Sequence, residues 1–198
     1  MSDLFAEPED ARPLEPEERE GLLQSWITHR GDLNEAEQEN ILAGVAWARG
    51  RRGRKLQDIL SIDVAMTLHK RMFGDVWKWA GTCRTTARNI GVDAYRIQTD
   101  MAALFGDVRY WVENGTYSPD EIAVRLHHRL VAIHPFPNGN GRHARLMADL
   151  LIERLGGEPF SWGGGGLADT GELRTRYVGA LRAADDHDIA PLLVFARS

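Results

Sequence analysis

Along most of this chain apolar residues return every third or fourth position, the interval that places them on one face of an α-helix. Ile41, Leu42, Val45 and Ala48 follow a capping pair, Asn34 with Glu37, and predict a first long helix. Ile62, Ala65, Met66, Leu68, Met72 and Phe73 predict a second, stopped by Gly74. Met101, Leu104, Phe105, Val108, Trp111 and Val112 keep the period closely until Asn114-Gly115 ends the run. Ser118-Pro119-Asp120-Glu121 is a capping box with proline at the first helical position, and Ile122, Leu126, Leu130 and Ile133 form the stripe behind it. So many apolar positions predict that this helix is central.

Leu146, Met147, Leu150, Leu151 and Leu155 mark another helix, opening near Arg142. Asp169 with Glu172 starts the next, with Leu173, Tyr177, Ala180, Leu181 and Ala184 on its inner face, and a short last helix follows Asp188. One stretch breaks the rule. From about Cys83 to Ile97, two strand-like runs flank a turn holding Gly91 and Asp93, which predicts a hairpin. The expected fold class is therefore all-α, a helical bundle with one small β-hairpin flap.

Composition narrows the picture further. Residues 1–20 are rich in Glu, Asp and Pro and are expected to be a mobile or loosely docked acidic tail. Residues 21–55 read as an N-terminal helical extension and residues 56–198 as the domain proper. The basic run Arg49, Arg51, Arg52, Arg54 and Lys55 fits a helix C-terminus. A net charge of -5 runs against general nucleic-acid binding, which needs a basic face to displace counterions. Cys83 is the single cysteine, so no intramolecular disulfide can form and a reducing compartment is expected. No basic start leads into an apolar run, and no apolar stretch approaches the roughly 18 residues of a membrane span. These features together lead to the expectation of a cytoplasmic protein.

The chemistry gathers between His134 and Arg145, which read His-Pro-Phe-Pro-Asn-Gly-Asn-Gly-Arg-His-Ala-Arg. Gly139 and Gly141 lack Cβ atoms, so the loop can bring backbone amides close to an anion. A helix opens directly after it, and helix N-termini suit phosphate. Arg142 and Arg145 are three apart on its first turn and can face one oligophosphate. His134 lies just before the loop, and imidazole titrates where it can accept a proton at physiological pH. His127 and His128 read as packed or solvated side chains. Gly163 to Gly166 lacks the Lys-Ser or Lys-Thr of a phosphate-binding loop and reads as a flexible connection, while His187-Asp188 lacks companion ligands for a metal and reads as a helix cap.

The twelve residues from His134 resemble the signature of the Fic family, His-Pro-Phe-x-(Asp/Glu)-Gly-Asn-Gly-Arg-x-x-Arg, departing only at Asn138, where the family has a carboxylate. Trp79-Ala80-Gly81-Thr82-Cys83-Arg84, Ile90-Gly91-Val92 and Tyr95-Arg96-Ile97 resemble the family's Trp-Ala-Gly segment and flap, and Tyr177, Ala180, Leu181 and Leu192 its pocket-closing helices. The resemblance covers roughly residues 56 to 196, and the chain as a whole looks most like the bacterial branch called mobile mystery protein B.

The resemblance implies a protein adenylyltransferase that moves AMP from ATP to a Tyr, Thr or Ser hydroxyl of a target protein, with Mg²⁺ as cofactor. His134 would be the base, Asn140 and the Gly139–Gly141 amides would hold the α-phosphate, Arg142 and Arg145 the outer phosphates, and Tyr177 would stand near adenine. Asn138 would offer a metal only a carbonyl dipole. Ile90, Gly91, Val92 and Tyr95 would dock an extended target segment, or the hairpin would merely cover the core. Glu39-Asn40 fits the end of an inhibitory motif whose glutamate pairs with the second arginine, but Glu35 stands where that motif has Ser or Thr, and an ordinary solvated helix face is the better reading of Glu39. Implied partners are the target protein and, by analogy, an antitoxin or a second copy. The neutral Asn138 leaves open an ATP-binding regulatory or toxin-like module with weak or lost transfer.

Overall fold

Helices form nearly everywhere the periodicity placed them. The computed structural model describes residues 13–50, 56–87, 90–164 and 170–198. Its elements are α1 (Pro16–Arg19), α2 (Arg30–Arg49), α3 (Leu56–Ile59), α4 (Ile62–Phe73), α5 (Ile97–Asn114), α6 (Pro119–Ile133), α7 (Asn140–Arg154), α8 (Thr170–Asp185) and α9 (Ala190–Arg197), with a single 3₁₀ turn at Ala94–Arg96. The chain divides into two units, one comprising Met1–Arg52 and Met66–Thr82, the other Gly53–Ala65 and Cys83–Ser198.

In the first unit, part of the expected acidic tail is docked. Leu14 is buried and its N–H donates to Thr28 O at 2.8 Å, while residues 1–12 lie outside the described residues, as do four members of the basic run, at 51–55. α2 starts four residues before the Asn34 cap expected from sequence. Asp32 closes its carboxylate on the His29 N–H at 3.1 Å, so His29 takes the N-cap and Asn34 lies inside the helix. The buried stripe is Leu33, Glu37, Asn40, Gly44 and Ala48 rather than Ile41, Leu42, Val45 and Ala48, and Leu42 is exposed.

Polar satisfaction explains that rotation. Glu37 accepts from Trp77 Nε1 at 2.7 Å, and Asn40 donates to Arg71 O and accepts from the Asp75 N–H, so neither polar side chain is buried without a partner. Gly44 permits the contact, because a Cβ there would stand 2.9 Å from Met72 Cγ and 3.0 Å from Arg71 O. Gly74 stops α4 as expected, its N–H donating to Lys70 O at 2.7 Å.

In the second unit α6 is buried on almost every side through Ile122, Ala123, Val124, Leu126, His127, Leu130 and Ile133, and it packs on α5, α7 and α9. Burying each of its large apolar side chains is worth roughly 1.5–3 kcal/mol. Ser118 caps it by accepting from the Glu121 N–H, and Gly115 ends α5 in the left-handed region. α7 opens at Asn140, two residues earlier than predicted. The Asp169 cap and Gly165-Gly166 lie outside the described residues.

The expected hairpin is a correction. Among the described residues 83–87 and 90–97 there is no strand; Arg84 takes the backbone acceptors of this segment for its own side chain, and α5 already begins at Ile97. The described residues 83–87 and 90–93 are loop, followed by the 3₁₀ turn. No helix among the described residues is long and apolar enough to cross a membrane.

Candidate active site

α6 ends at Ile133, and His134 follows as its C-cap with φ 53 and ψ 60, a left-handed conformation that histidine rarely adopts. The turn aims the residue into the loop that opens α7. Phe136 is wholly buried and meets the His143 ring edge-on at 5.0 Å, and His143 in turn bonds Ala65 O through Nε2 at 3.0 Å. Burial pushes the His143 pKa down to about 4, so the ring is neutral at ordinary pH and acts as a strut.

Asn140 closes the loop. Its Oδ1 accepts from the Phe136 N–H at 2.9 Å and its Nδ2 donates to Phe136 O at 2.8 Å. The role visible for this side chain is to clamp the loop, where sequence suggested a direct hold on the α-phosphate. Gly139, at φ 77, is the N-cap of α7, and its N–H donates to Asn138 Oδ1 at 2.7 Å.

His134, Asn138, Gly139, Asn140, Gly141, Arg142, Arg145 and Arg174 line a cavity of about 340 Å³. Six of these were named from sequence as catalytic or nucleotide-binding, and Asn138 as a metal contact. Arg174 was missed, and the available signal was its place one helical turn before Tyr177 on α8. Among the described residues the lining carries three guanidinium groups and no carboxylate, and the α7 N-terminus adds partial positive charge. Such a cavity suits a polyanion.

Mg²⁺ fits this lining poorly. The ion prefers charged oxygens, whereas the one candidate here is a neutral amide whose oxygen already serves Gly139, and no group of three or more His, Cys, Asp or Glu that could hold a metal exists among the described residues.

Tyr177 sits differently from the expectation. It does not line the cavity; its hydroxyl lies 3.7 Å from the point where a Gly141 Cβ would be, and the Arg145 guanidinium stands 4.5 Å from its ring centroid. Trp162 flanks the same guanidinium at 5.9 Å. His127, fully buried, meets the Tyr177 hydroxyl through Nε2 at 3.1 Å. Burial first, then the Arg145 charge, pushes its pKa down to about 3. Trp162 and His127 were not recognised as parts of the site, since only tertiary packing brings them to Arg145. His128 pairs with Asp185 at 2.8 Å.

The flap meets His134 directly. A Cβ on Gly91 would stand 2.6 Å from His134 Cβ, and the Val92 N–H donates to Ile133 O at 3.3 Å. Ile90 and Tyr95 are exposed, Tyr95 by 82%. Glu39 is exposed on α2, in the first unit.

Residues 59–152 match the model of the Fic/DOC family, so this chain carries a Fic domain. The chain is 31% identical over 143 residues to the protein adenylyltransferase fic-1 of Caenorhabditis elegans, covering 70% of this chain and 27% of that protein. It is likewise 31% identical over 144 residues to the protein adenylyltransferase Fic of Drosophila grimshawi, covering 71% of this chain and 27% of the relative. It thus spans about a quarter of the length of these curated relatives. Among solved structures, C. elegans Fic-1 superposes with a TM-score of 0.63 at 26% identity, over 88% of this chain and 50% of that one. BepC of Bartonella tribocorum, solved with bound AMPPNP, shares the fold with a TM-score of 0.63 at 17% identity, over 90% of this chain and 95% of its own.

Proposed function

We propose that this chain is a protein adenylyltransferase that transfers AMP from ATP to a Tyr, Thr or Ser hydroxyl of a target protein. The observation that carries the reading is the shared cavity of His134, the Gly139–Gly141 loop and three arginines at the start of a helix. The relatives named protein adenylyltransferase, and the AMPPNP held by a protein of the same fold, point the same way.

In this reading His134 takes the proton of the target hydroxyl while its oxygen attacks the α-phosphorus. The bond from that phosphorus to the bridging oxygen of the β-phosphate breaks, pyrophosphate departs, and AMP remains esterified to the target. Gly139 to Gly141 and the first amides of α7 face the α-phosphate, with Asn140 keeping the loop in shape. Arg142, Arg145 and Arg174 meet the outer phosphates, where leaving-group charge grows. Any Mg²⁺ would have to be held by the nucleotide, since this lining offers the ion no charged oxygen and the Asn138 oxygen serves Gly139. Ile90, Gly91, Val92 and Tyr95 receive the target segment, with the exposed Ile90 and Tyr95 side chains meeting it beside His134.

The finer parts of the proposal are the mobile mystery protein B branch, a cytoplasmic location, a partner antitoxin or second copy, and restraint of Arg145 by Glu39. Labelling with ATP tagged on the α-phosphate, set beside ATP tagged on the γ-phosphate, tests the core of it. Protein-bound α-label without γ-label is expected; γ-label alone would overturn it. A second reading, an ATP-binding module without transfer, is favoured by the neutral Asn138, and tight ATP binding with no label from either tag would select it.

A further inference from the structure

We propose that Arg84 is a positioning residue for the base: its buried guanidinium fastens the flap loop to the C-terminal end of α6, so that the flap and the His134 backbone hold one another in place. The inference rests on the adenylyltransferase reading for its kinetic test and on geometry alone for its physical one.

Arg84 is 3% exposed, and among the described residues the acceptors that its side chain finds are backbone carbonyls. Nε donates to His134 O at 2.6 Å, and Nη2 donates to Ile133 O at 3.3 Å and to Val92 O. Nη1 donates to Thr86 O at 3.0 Å, and the Arg84 main-chain N–H donates to Pro135 O at 2.9 Å. One side of the fork therefore serves the end of α6, where carbonyls lack helical partners and the helix carries partial negative charge. Nη1, together with Nη2 through Val92 O, serves the flap.

The flap is close enough for the linkage to act on the base. Gly91, at φ +98, lies so near that a Cβ would come within 2.6 Å of His134 Cβ and 2.7 Å of Arg84 Nη2. The Val92 N–H adds a bond to Ile133 O. His134 holds a sparsely populated backbone conformation, and such a residue persists only where its surroundings over-determine it. Arg84 supplies that determination from the carbonyl side. Lysine has one ammonium in place of a planar fork and cannot serve this spread of carbonyls together.

The experiment compares the full chain with Arg84→Lys, Arg84→Gln and Gly91→Ala. If the fork aims the base, kcat for α-labelled AMP transfer falls about 100-fold, as small misplacements of a reacting group do. ATP affinity stays within about threefold, because an interaction made only on the way to the transition state moves kcat and not binding. Hydrogen exchange at the Val92 amide rises about tenfold or more. Wild-type kcat in Arg84→Gln, or ATP affinity lost in step with kcat, overturns the proposal. Should the Arg84 variants fail to fold, Gly91→Ala strains the same joint without removing a charge, and an unchanged kcat there overturns it. If the wild type transfers no AMP, the functional reading has failed; exchange at Val92 in Arg84→Lys then decides the clasp, faster exchange supporting it and unchanged exchange overturning it.

Discussion

Asn140 and Phe136 are bonded to one another twice, amide oxygen to N–H at 2.9 Å and amide N–H to carbonyl at 2.8 Å. This pair closes the loop without any ligand. Because Asn140 is buried, Asn140→Ala would remove both bonds to Phe136, at about 1–3 kcal/mol for each buried group left unsatisfied. Urea denaturation should show a loss of that order, and ATP binding should weaken with it. Full stability in the alanine variant would mean that water replaces the clamp.

Arg174 is the lining cation that the sequence pattern did not disclose. It projects from α8, so its neutralisation should spare the loop, and hydrogen bonds to charged groups are worth about 1.5–3 kcal/mol before solvent screening. Arg174→Gln should weaken ATP binding about tenfold while AMP binding changes little. Calorimetry with both nucleotides checks this, and equal losses for the two would place Arg174 away from the outer phosphates.

The buried imidazoles of His127 and His143 contribute to acid stability. The pKa of His127 is pushed down to about 3 and that of His143 to about 4, so between those values and the unfolded value near 6.5 the unfolded chain binds more protons than the native one. Their neutral-state stability is fully present above pH 6.5 and is lost as pH falls toward 4 and then 3, each ring adding a slope of at most about 1.4 kcal/mol per pH unit. Urea midpoints from pH 7 to pH 4 should follow that fall, and His143→Gln should flatten it. An unaltered slope in that variant would deny His143 its share.

Asn138→Asp would place a negative charge in a cavity whose described lining holds three arginines and no carboxylate. At about 4 Å and an effective dielectric near 20, a unit charge is worth on the order of 4 kcal/mol for each charge it faces, before the divalent ion and solvent are considered. The aspartate variant should therefore require less Mg²⁺ for half-maximal transfer than the native chain. Identical Mg²⁺ curves would show that the nucleotide alone holds the ion.

Local order carried most of the architecture. The Ser118 cap, the Gly74 stop and the Gly115 C-cap are short-range devices, so sequence placed α4, α5 and α6 correctly. The signature from His134 to Arg145 was legible for the same reason, since its cavity-lining residues lie within twelve positions. What failed was set by distant partners. The register of α2 turns on Trp77 and Asp75, some 35 to 40 residues away, which satisfy Glu37 and Asn40. The hairpin gave way because Arg84, anchored to carbonyls 49 and 50 residues downstream, also takes the Thr86 and Val92 carbonyls. The stack of Trp162, Tyr177 and Arg145 likewise forms only in tertiary contact.

At position 134 the needs of folding and of chemistry are opposed. A helix that ends in a left-handed turn is best served by glycine, and any side chain there costs about 1–2 kcal/mol. His134→Gly should therefore yield a protein that withstands heat better than its parent while AMP transfer drops about 10²- to 10⁴-fold. Thermal melts beside label transfer check both halves. The chain keeps its imidazole where selection for durability alone would have removed it.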